Sequence, residues 1–491
     1  MTKERAPHVV VCGAGLTGLA TAWHLRRMGA DVTVIEQSDS VGGVVRTTER
    51  DGYLVEHGPN SCTLTPELSA MVAALDLTPL LRNAAPQAQR RYIVRRGKVL
   101  AAPSSPLAAL RTPLLSFGAK LRVLGEAFVA QRNSDTDESV ADFVRRRLGQ
   151  EPLTWGVDPF VSGVYAGDPE MLSVKHAFPR LAALEREHGS LLRGIIAQGR
   201  AARRAAVQTG APQARHTMVS FADGMSTLPL ALADDIGTAN VLRRTRVTGI
   251  SGNGSETSVV VECDGARRVI RGDAAVCTVP LPALREIDLG LSSIDAQSQL
   301  ATVRYPPVVS IALGFRRADV KHALDGFGCL VPSAEHRKLL GVLFSSTLFD
   351  GRAPENTVLL TCFLGGVRHP QLAALNTQAL LDVLRPELAS LLGVTGAPRF
   401  VEHTVWPRAI PQYNVGHDVV MRAAPELELR VPGLLVDGQF LRGVSVGDCI
   451  AAGRSIAARA LAEAQRRSGL QGGASMTAPS SVTQLGDVAV A

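Results

Sequence analysis

Apolar and polar positions along the chain fall into distinct regimes. Residues 8 to 36 read as strand, glycine-rich turn, helix and strand. Val9-Val10-Val11 is a short unbroken apolar run of the kind a buried parallel strand carries. A helix is predicted from Leu16 to Met28, with Gly29 placed to close its C-terminus, and Asp31 to Glu36 forms the second strand. VGGVV and DGYLVEHGPN then predict turns and a further short strand, and RRYIVRRGKVL at 90 to 100 a hairpin with Gly97 in its turn. From about 107 to 210 the pattern is helical, as in AKLRVLGEAFVAQR and SVADFVRRRLG. Asp158-Pro159 and Gly163 interrupt it before one long helix through LAALEREHGSLLRGIIAQGRAARRAA. Strand signals return in MVSFADG, RRTRVTGIS, TSVVVECDG and DAAVCTVP, and again in VVSIALGF, GFGCLVP, KLLGVLFSS and TVLLTCFLGG. A helix around 374 to 392, a strand at 434 to 438 and a helix near 449 to 466 follow. From Ser468 on, the Gly/Ser/Ala-rich tail reads as disordered.

Strands suited to one nucleotide-binding sheet thus occur at both ends of the chain. The predicted class is α/β (α+β overall), with a discontinuous Rossmann-type domain interrupted by a helical block and a mixed sheet. At 491 residues, two or three structural units are expected. A 46% hydrophobic share with 20% charged residues suits a globular protein with a large core.

Charge and cysteine narrow the picture. The net charge is +7, and residues 111 to 215 hold 15 Lys/Arg against 11 Asp/Glu, including Arg145-Arg146-Arg147. Such a surplus reads first as a solvated helical face and second as a surface for anionic lipid or an acidic substrate. Aromatics at 4% argue against stacking platforms for single-stranded nucleic acid. Seven scattered cysteines with no C-x-x-C pair fit buried thiols in a reducing compartment, and the eleven histidines show no metal-ligand spacing, so no metal is expected. No apolar leader precedes the first strand and no run reaches the length of a spanning helix. A cytoplasmic protein lying at most on a membrane surface is the expectation.

Gly13-Ala14-Gly15-Leu16-Thr17-Gly18 places G-x-G-x-x-G directly between strand and helix. The first glycine permits the turn, the second lets backbone approach a pyrophosphate, and the third brings helix and strand together. Free N–H groups at the helix start favour the phosphates. Glu36 closes the second strand where a carboxylate would bind ribose hydroxyls, which favours an unphosphorylated ribose. Gly42-Gly43 allows a second close approach, although an ordinary turn uses the same pair. Near residue 446, LLVDGQFLRGVSVGDCIAAGRSIAARAL reads strand, glycine-rich loop, helix. A helix starting at Val446-Gly447-Asp448 would set positive dipole beside a flavin ring, pointing to FAD; Asp448 also suits a plain helix cap.

Taken together, these residues resemble the protoporphyrinogen oxidase family, within the monoamine-oxidase-like flavoproteins. The resemblance spans Val9 to about Ala462. It rests on VVVCGAGLTGLATAWHLRRMGADVTVIE, GYLVEHGPNS, RRYIVRRGKV, GVYAGDPEMLSV, AFPRLAALEREHGSLL, GFGCLVP, FLGGVRHP, IPQYNVGH and GVSVGDCI, in the family's order. It implies oxidation of a porphyrinogen to a porphyrin in haem synthesis. Six electrons would pass in three hydride steps from meso carbons to FAD, with oxygen re-oxidising the flavin and hydrogen peroxide leaving. It also implies peripheral attachment to a cytoplasmic membrane; a homodimer is admitted, and nucleic acid is not expected. Arg91 matches an arginine that pairs with a substrate propionate, Leu330 and Phe363 match apolar walls, and Gly167 a glycine whose backbone faces the macrocycle. Gly58, Pro59, Asn60, Ser61, Val247, Val444, Ser445 and Val446 match cofactor-side positions beside the glycine motif. No general base carries over. Gly447 departs from the NDCI or PDCI common in the family, which loosens the loop on this reading.

The implied organisation has an FAD-binding domain in three segments (1–90, 216–290, 406–467), a substrate domain in two (91–110, 291–405), a helical membrane-facing domain (111–215) and the tail (468–491). Coproporphyrinogen III, with four propionates where protoporphyrinogen IX has two, is the nearest alternative substrate. It would need more positive charge than Arg91, for which Arg90, Arg95, Arg96 and Lys98 are candidates. A prenyl-binding escort of the same fold is the non-enzymatic alternative.

Overall fold

The computed structural model describes residues 5–132, 136–209, 217–291 and 295–469. The tail expected to be disordered lies, from residue 470 on, outside them. Five parallel strands run in the order Val241–Leu242, Asp31–Ile35, His8–Cys12, Ala274–Cys277 and Leu434–Val436. The central one, His8–Cys12, is buried on both faces, which is why its sequence is an unbroken apolar run. Helix Leu16–Arg27 follows it and packs along helix Val446–Arg467. A Cβ added at Gly453 would lie 2.6 Å from the Ala20 Cβ, so these two helices meet backbone to backbone. The predicted discontinuity is therefore built in: the sheet and its covering helices come from both ends of the described chain.

A second, seven-stranded sheet runs Phe400–Trp406, Val308–Arg316, Thr357–Gly365, Leu339–Leu343, Gly328–Leu330, Tyr92–Arg95 and Lys98–Ala101. All its pairs are antiparallel except Gly328–Leu330 with Tyr92–Arg95. The hairpin turn falls at Arg96-Gly97, both at positive φ, as the glycine there predicts. One face of this sheet is covered by helix Thr377–Leu392, whose Leu380, Leu384 and Leu388 pack with Val309, Ile311 and Cys362. The opposite face is covered at one end by Tyr53, Val55 and Phe400, which pack with Ala312 and Leu359, and carries Leu330 and Phe363 farther along. A three-stranded antiparallel sheet, Thr245–Gly252, Thr257–Cys263 and Ala266–Gly272, lies beside the parallel one.

Helices fill most of 106–209, with one departure from the periodicity. The single long helix expected through LAALEREHGSLLRGIIAQG is two, Pro179–His188 and Leu191–Thr209, because Gly189 takes a left-handed φ of 68° and ends the first. Glu126 then starts the second. Its carboxylate, wholly buried, accepts from Leu191 N (2.9 Å), Leu192 N (3.1 Å) and Ser190 Oγ (2.6 Å) and pairs with the equally buried Arg147 at 3.0 Å. Asp158-Pro159 and Gly163 do not break the chain into loops. From Gln150 to Tyr165 it stays helical through two π-helical turns, Leu153–Val157 and Val161–Tyr165, and leaves the helix at Ala166 with φ 52°.

Candidate functional site

The glycine-rich turn divides its three glycines by role. Gly13 has φ 101°, open to glycine at little cost. A Cβ at Gly18 would lie 1.9 Å from Gly13 O, so this residue sets the contact of helix and strand. A Cβ at Gly15 meets nothing within 4 Å. The open space lies over that second glycine, where helix Leu16–Arg27 begins with no side-chain cap and no acid in its first turn. Its unclaimed N–H groups, carried by Leu16, Thr17 and Gly18, are an anion cradle.

Glu36 sits just past the end of its strand, nearly buried. One carboxylate oxygen accepts from Ala14 N at 2.9 Å, and the other from the backbone and hydroxyl of Ser38. The acid expected at the ribose thus also braces the glycine-rich turn. Gly42 and Gly43 lie against the same turn. Gly42 bridges Gly15, and a Cβ at Gly43 would stand 3.3 Å from Gly15 Cα. Gly58 is glycine for a different reason, since its Cβ would meet Val44 O at 2.0 Å. Pro59, Asn60 and Ser61 follow, all partly exposed. Val247 lies in a strand whose start, Thr245, donates its N–H to Glu36 O, and it packs on the cluster that includes Cys12 and Ile35.

The flavin-side helix begins at Val446, with Ser445 as its cap. Ser445 Oγ accepts from Asp448 N at 3.1 Å and Asp448 returns a bond from Ser445 N at 3.0 Å. This reciprocal cap tightens the loop that Gly447 was expected to loosen. Val444 lies just ahead, partly exposed. Burial raises Asp448 above the usual carboxylate range. Beside it, burial pushes the Tyr165 phenol up to about 12. An uncapped helix N-terminus, an open space over Gly15 and two further backbone approaches together fit a dinucleotide laid along this edge.

The apolar walls form on the face of the seven-stranded sheet away from helix Thr377–Leu392. Strand register aligns Ile93, Leu330, Gly341, Phe363, Ser310 and Thr404 in one row across six strands. Residues directly opposite share a face, so Leu330 and Phe363 stand on the same side with only a glycine between them. Gly163 packs against Leu330; a Cβ there would lie 2.4 Å from Leu330 Cδ2. Gly167, four residues on, is glycine because its Cβ would fall 2.4 Å from the buried Gln412 Oε1. That oxygen has no hydrogen-bond partner among the described residues, while Gln412 Nε2 donates to Tyr165 O at 2.8 Å.

Two residues before Ile93, Arg91 is directed to the same side by strand alternation. It forms no ion pair with a described residue, lies 5.5 Å from the centre of the Phe327 ring, and is lowered in pKa by burial. The other hairpin cations are engaged elsewhere. Arg90 pairs with Asp325, which also accepts from Tyr92 OH. Arg95 stacks 4.8 Å over Trp155, donates to Pro113 O and lies 3.9 Å from Glu151. Arg96 and Lys98 are exposed at the turn.

Two groupings were not readable from the sequence. Asp158 and Arg368 form a largely buried ion pair at 2.8 Å behind Leu330. The histidines, which show no metal spacing along the chain, include His176, brought with Asp137 and Asp418 to within 4.8 Å of one another. Lys175 already stands 2.7 Å from that Asp418 carboxylate.

Comparison with known proteins agrees with this geometry. The pattern of the flavin containing amine oxidoreductases matches residues 16–461. The chain is 34% identical to protoporphyrinogen oxidase 2 (chloroplastic/mitochondrial) of Arabidopsis thaliana, over 91% of this chain and 92% of that one. It is 28% identical to coproporphyrinogen III oxidase of Bacillus subtilis, over 92% and 98%. A crystal structure from Exiguobacterium sp. 255-15, provisionally assigned as a protoporphyrinogen oxidase, superposes with a TM-score of 0.76 at 21% identity, covering 94% of this chain and 99% of that one.

Proposed function

The chain belongs to the flavin-containing amine oxidoreductases and, within them, to the protoporphyrinogen oxidase family, and from that premise we propose that this FAD-dependent oxidoreductase converts protoporphyrinogen IX to protoporphyrin IX. FAD supplies the two-electron acceptor, and three turnovers remove six electrons and six protons. Oxygen takes each electron pair and two protons to leave as hydrogen peroxide, three per porphyrin. The observation that carries the reading is the row Leu330–Gly341–Phe363 with Arg91 beside it. Leu330 and Phe363 give the macrocycle its apolar contacts, and the glycine at 341 seats the Leu330 side chain, whose Cδ2 would stand 3.3 Å from a Cβ there. Arg91, a desolvated guanidinium with no carboxylate partner among the described residues, holds one propionate and so fixes which edge enters first. The helix starting at Val446 faces the flavin end on this reading, and Glu36 with the glycine-rich turn holds the adenosine end.

The charge inventory supports the dicarboxylate over coproporphyrinogen III. Of the hairpin cations, Arg90 and Arg95 are committed to protein partners, and Arg96 and Lys98 face solvent at the turn. Two additional propionates would find no further hairpin charge. The Bacillus subtilis relative bears the name of the tetracarboxylate enzyme, so both substrates belong in one experiment. Porphyrin fluorescence from purified protein, given each porphyrinogen separately in air, tests the reading. Faster oxidation of protoporphyrinogen IX is expected; preference for coproporphyrinogen III would move the enzyme to the other substrate, and neither would end the proposal.

Contact with a membrane surface is part of the same proposal. No helix among the described residues is long and apolar enough to cross a membrane. Yet Phe117, Leu121, Leu124 and Phe128 are 76%, 53%, 54% and 88% exposed on consecutive turns. Segment Gly125–Phe128 packs on helix Leu191–Thr209, which adds exposed Ile195 and Ile196. An apolar ridge of this kind, near Lys120 and Arg193, suits shallow insertion into an anionic interface.

A further inference from the structure

Three segments wall the apolar side of the site, and they meet at one carboxylate. Asp158 lies between the two π-helical turns, five residues before Gly163 and nine before Gly167. Its Oδ2 accepts from Ser333 N at 2.7 Å and from Arg368 Nη2 at 2.8 Å. Ser333 stands three residues after Leu330, and Arg368 five after Phe363. The other guanidinium nitrogen, Nη1, donates to Val331 O at 2.8 Å, directly beyond Leu330. Asp158 and Arg368 side chains are only 11% and 13% exposed, so solvent screens the pair little. Nearby, Val367 N donates to Ala166 O at 2.9 Å, and Gly366 can be only glycine there because its Cβ would lie 2.8 Å from that oxygen. The π-helical segment is thus stitched to the ends of two strands at two points flanking Leu330.

A π turn inserts one residue into a helix, is rare, and occurs mostly as a single-turn bulge, frequently at functional sites, so contacts that hold its register hold the residues it displaces. Asp158 supplies such contacts from the first turn of the segment that sets Gly163 on Leu330. The helical block is anchored separately through Glu126 and Arg147, and the seven-stranded sheet has its own core against helix Thr377–Leu392.

Resting on the porphyrinogen reading, we infer that Asp158 and Arg368 are positioning residues that act through Leu330: they set the spacing between the Leu330–Phe363 row and the Gly163–Gly167 turn, and with it the distance of the ring from the flavin. Neither touches the macrocycle in this arrangement. Hydride transfer is steep in distance, and a misplacement of about 1 Å costs about a hundredfold in rate. Loosening the knot therefore lowers the rate of flavin reduction by porphyrinogen more than it lowers binding.

The test uses purified holoenzyme and rapid mixing. Asp158→Asn keeps the volume and an acceptor for Ser333 N but removes the charge. Arg368→Lys keeps the charge but loses the fork that reaches Asp158 and Val331 together. Each is mixed anaerobically with protoporphyrinogen IX to measure the limiting rate of flavin bleaching and its half-saturation. Dithionite-reduced enzyme is mixed separately with oxygen. The expected result is a limiting bleaching rate lower by about ten- to a hundredfold, with half-saturation and re-oxidation each within about threefold of the parent. In a Leu330→Ala background the same substitutions should add less than about threefold, because coupled residues are non-additive. Bleaching at the parental rate in either variant overturns the inference. So does loss of bleaching in step with re-oxidation and flavin content, the mark of a merely structural pair, and so do effects that multiply with Leu330→Ala. If Asp158→Asn yields no folded protein, Arg368→Lys decides alone. A parent enzyme that bleaches with neither porphyrinogen overturns the functional reading, and this inference with it.

Discussion

Replacing Arg91 by leucine separates a ligand-directed cation from a structural one. Arg91 has no carboxylate partner among the described residues, and burial already disfavours its charged form. Removing it therefore strands no acid. What the protein loses is a contact over Phe327, about 0.5–1 kcal/mol for a cation–π pair, and relief from desolvation opposes even that. Arg147 is the contrast. It and Glu126 are wholly buried 3.0 Å apart, so Arg147→Leu leaves a carboxylate uncompensated, at a cost of about 3–5 kcal/mol. Toward substrate the order reverses. A hydrogen bond to a charged group contributes about 1.5–3 kcal/mol, and about 1.4 kcal/mol is a factor of ten, so Arg91→Leu should lower kcat/KM about 10- to 150-fold. Initial rates of porphyrin fluorescence measure the one effect, and urea midpoints followed by flavin fluorescence the other. A folded, yellow Arg91→Leu enzyme with unchanged kcat/KM would refute the propionate role. A stability loss equal to that of Arg147→Leu would refute the claim that the arginine is free for a ligand.

Three further outcomes are expected. Gly15→Ala adds a Cβ that meets no described protein atom within 4 Å and projects into the open space over the turn, so the protein should purify folded but depleted of flavin; a normal flavin absorbance would place the pyrophosphate elsewhere. His417, buried and donating its Nε2–H to Phe440 O, is pulled down to about 4 from its ordinary 6.5, chiefly by burial. The native state then binds fewer protons than the unfolded one between those values, so stability present above pH 6.5 falls on acidification by up to about 1.4 kcal/mol per unit; His417→Gln should flatten urea midpoints measured from pH 7 to pH 5, and an unaltered slope would exclude this histidine as the source. Phe117→Ser with Phe128→Ser should abolish co-flotation with anionic vesicles while leaving turnover of detergent-dispersed porphyrinogen intact, whereas undiminished flotation would rule the ridge out as the contact.

What could be read along the chain was whatever is encoded over short distances. The Gly13–Gly18 turn, the helix after it and the Gly97 hairpin each follow from a handful of neighbouring residues, and the structure has them in place. Discontinuity of the nucleotide domain was also legible, because strand patterns suited to it stand at both ends. Breaks inside the helical block were not. Gly189 reads as one tolerated glycine in a periodic stretch, and only its φ of 68° reveals the chain reversing. The π turns left no mark in hydrophobic periodicity. At the site, resemblance pointed to Leu330 and Phe363, but that they share a face depends on the register of three strands through Gly341. The Asp158–Arg368 pair joins residues 210 apart, and no local pattern announces it. Arg90 and Arg91 are adjacent and chemically alike; the pleat of the strand sends one to Asp325, while the other pairs with no carboxylate among the described residues.

The parallel sheet pairs Cys12 with Cys277, and Cys277 with Val436, while helix Leu16–Arg27 leans on helix Val446–Arg467. For a chain made from one end, this order imposes a delay. The glycine-rich turn emerges from the ribosome before the strand and helix that finish its surroundings, which are among the last of the described segments to follow. Until they arrive, the apolar flank of the first helix has no permanent cover and the adenosine cradle no floor. Flavin capture is therefore expected late in biogenesis, where it would clamp both ends of the nascent fold at once. A chain stopped short of Leu434 should emerge colourless and dependent on chaperones, whatever the state of its first hundred residues.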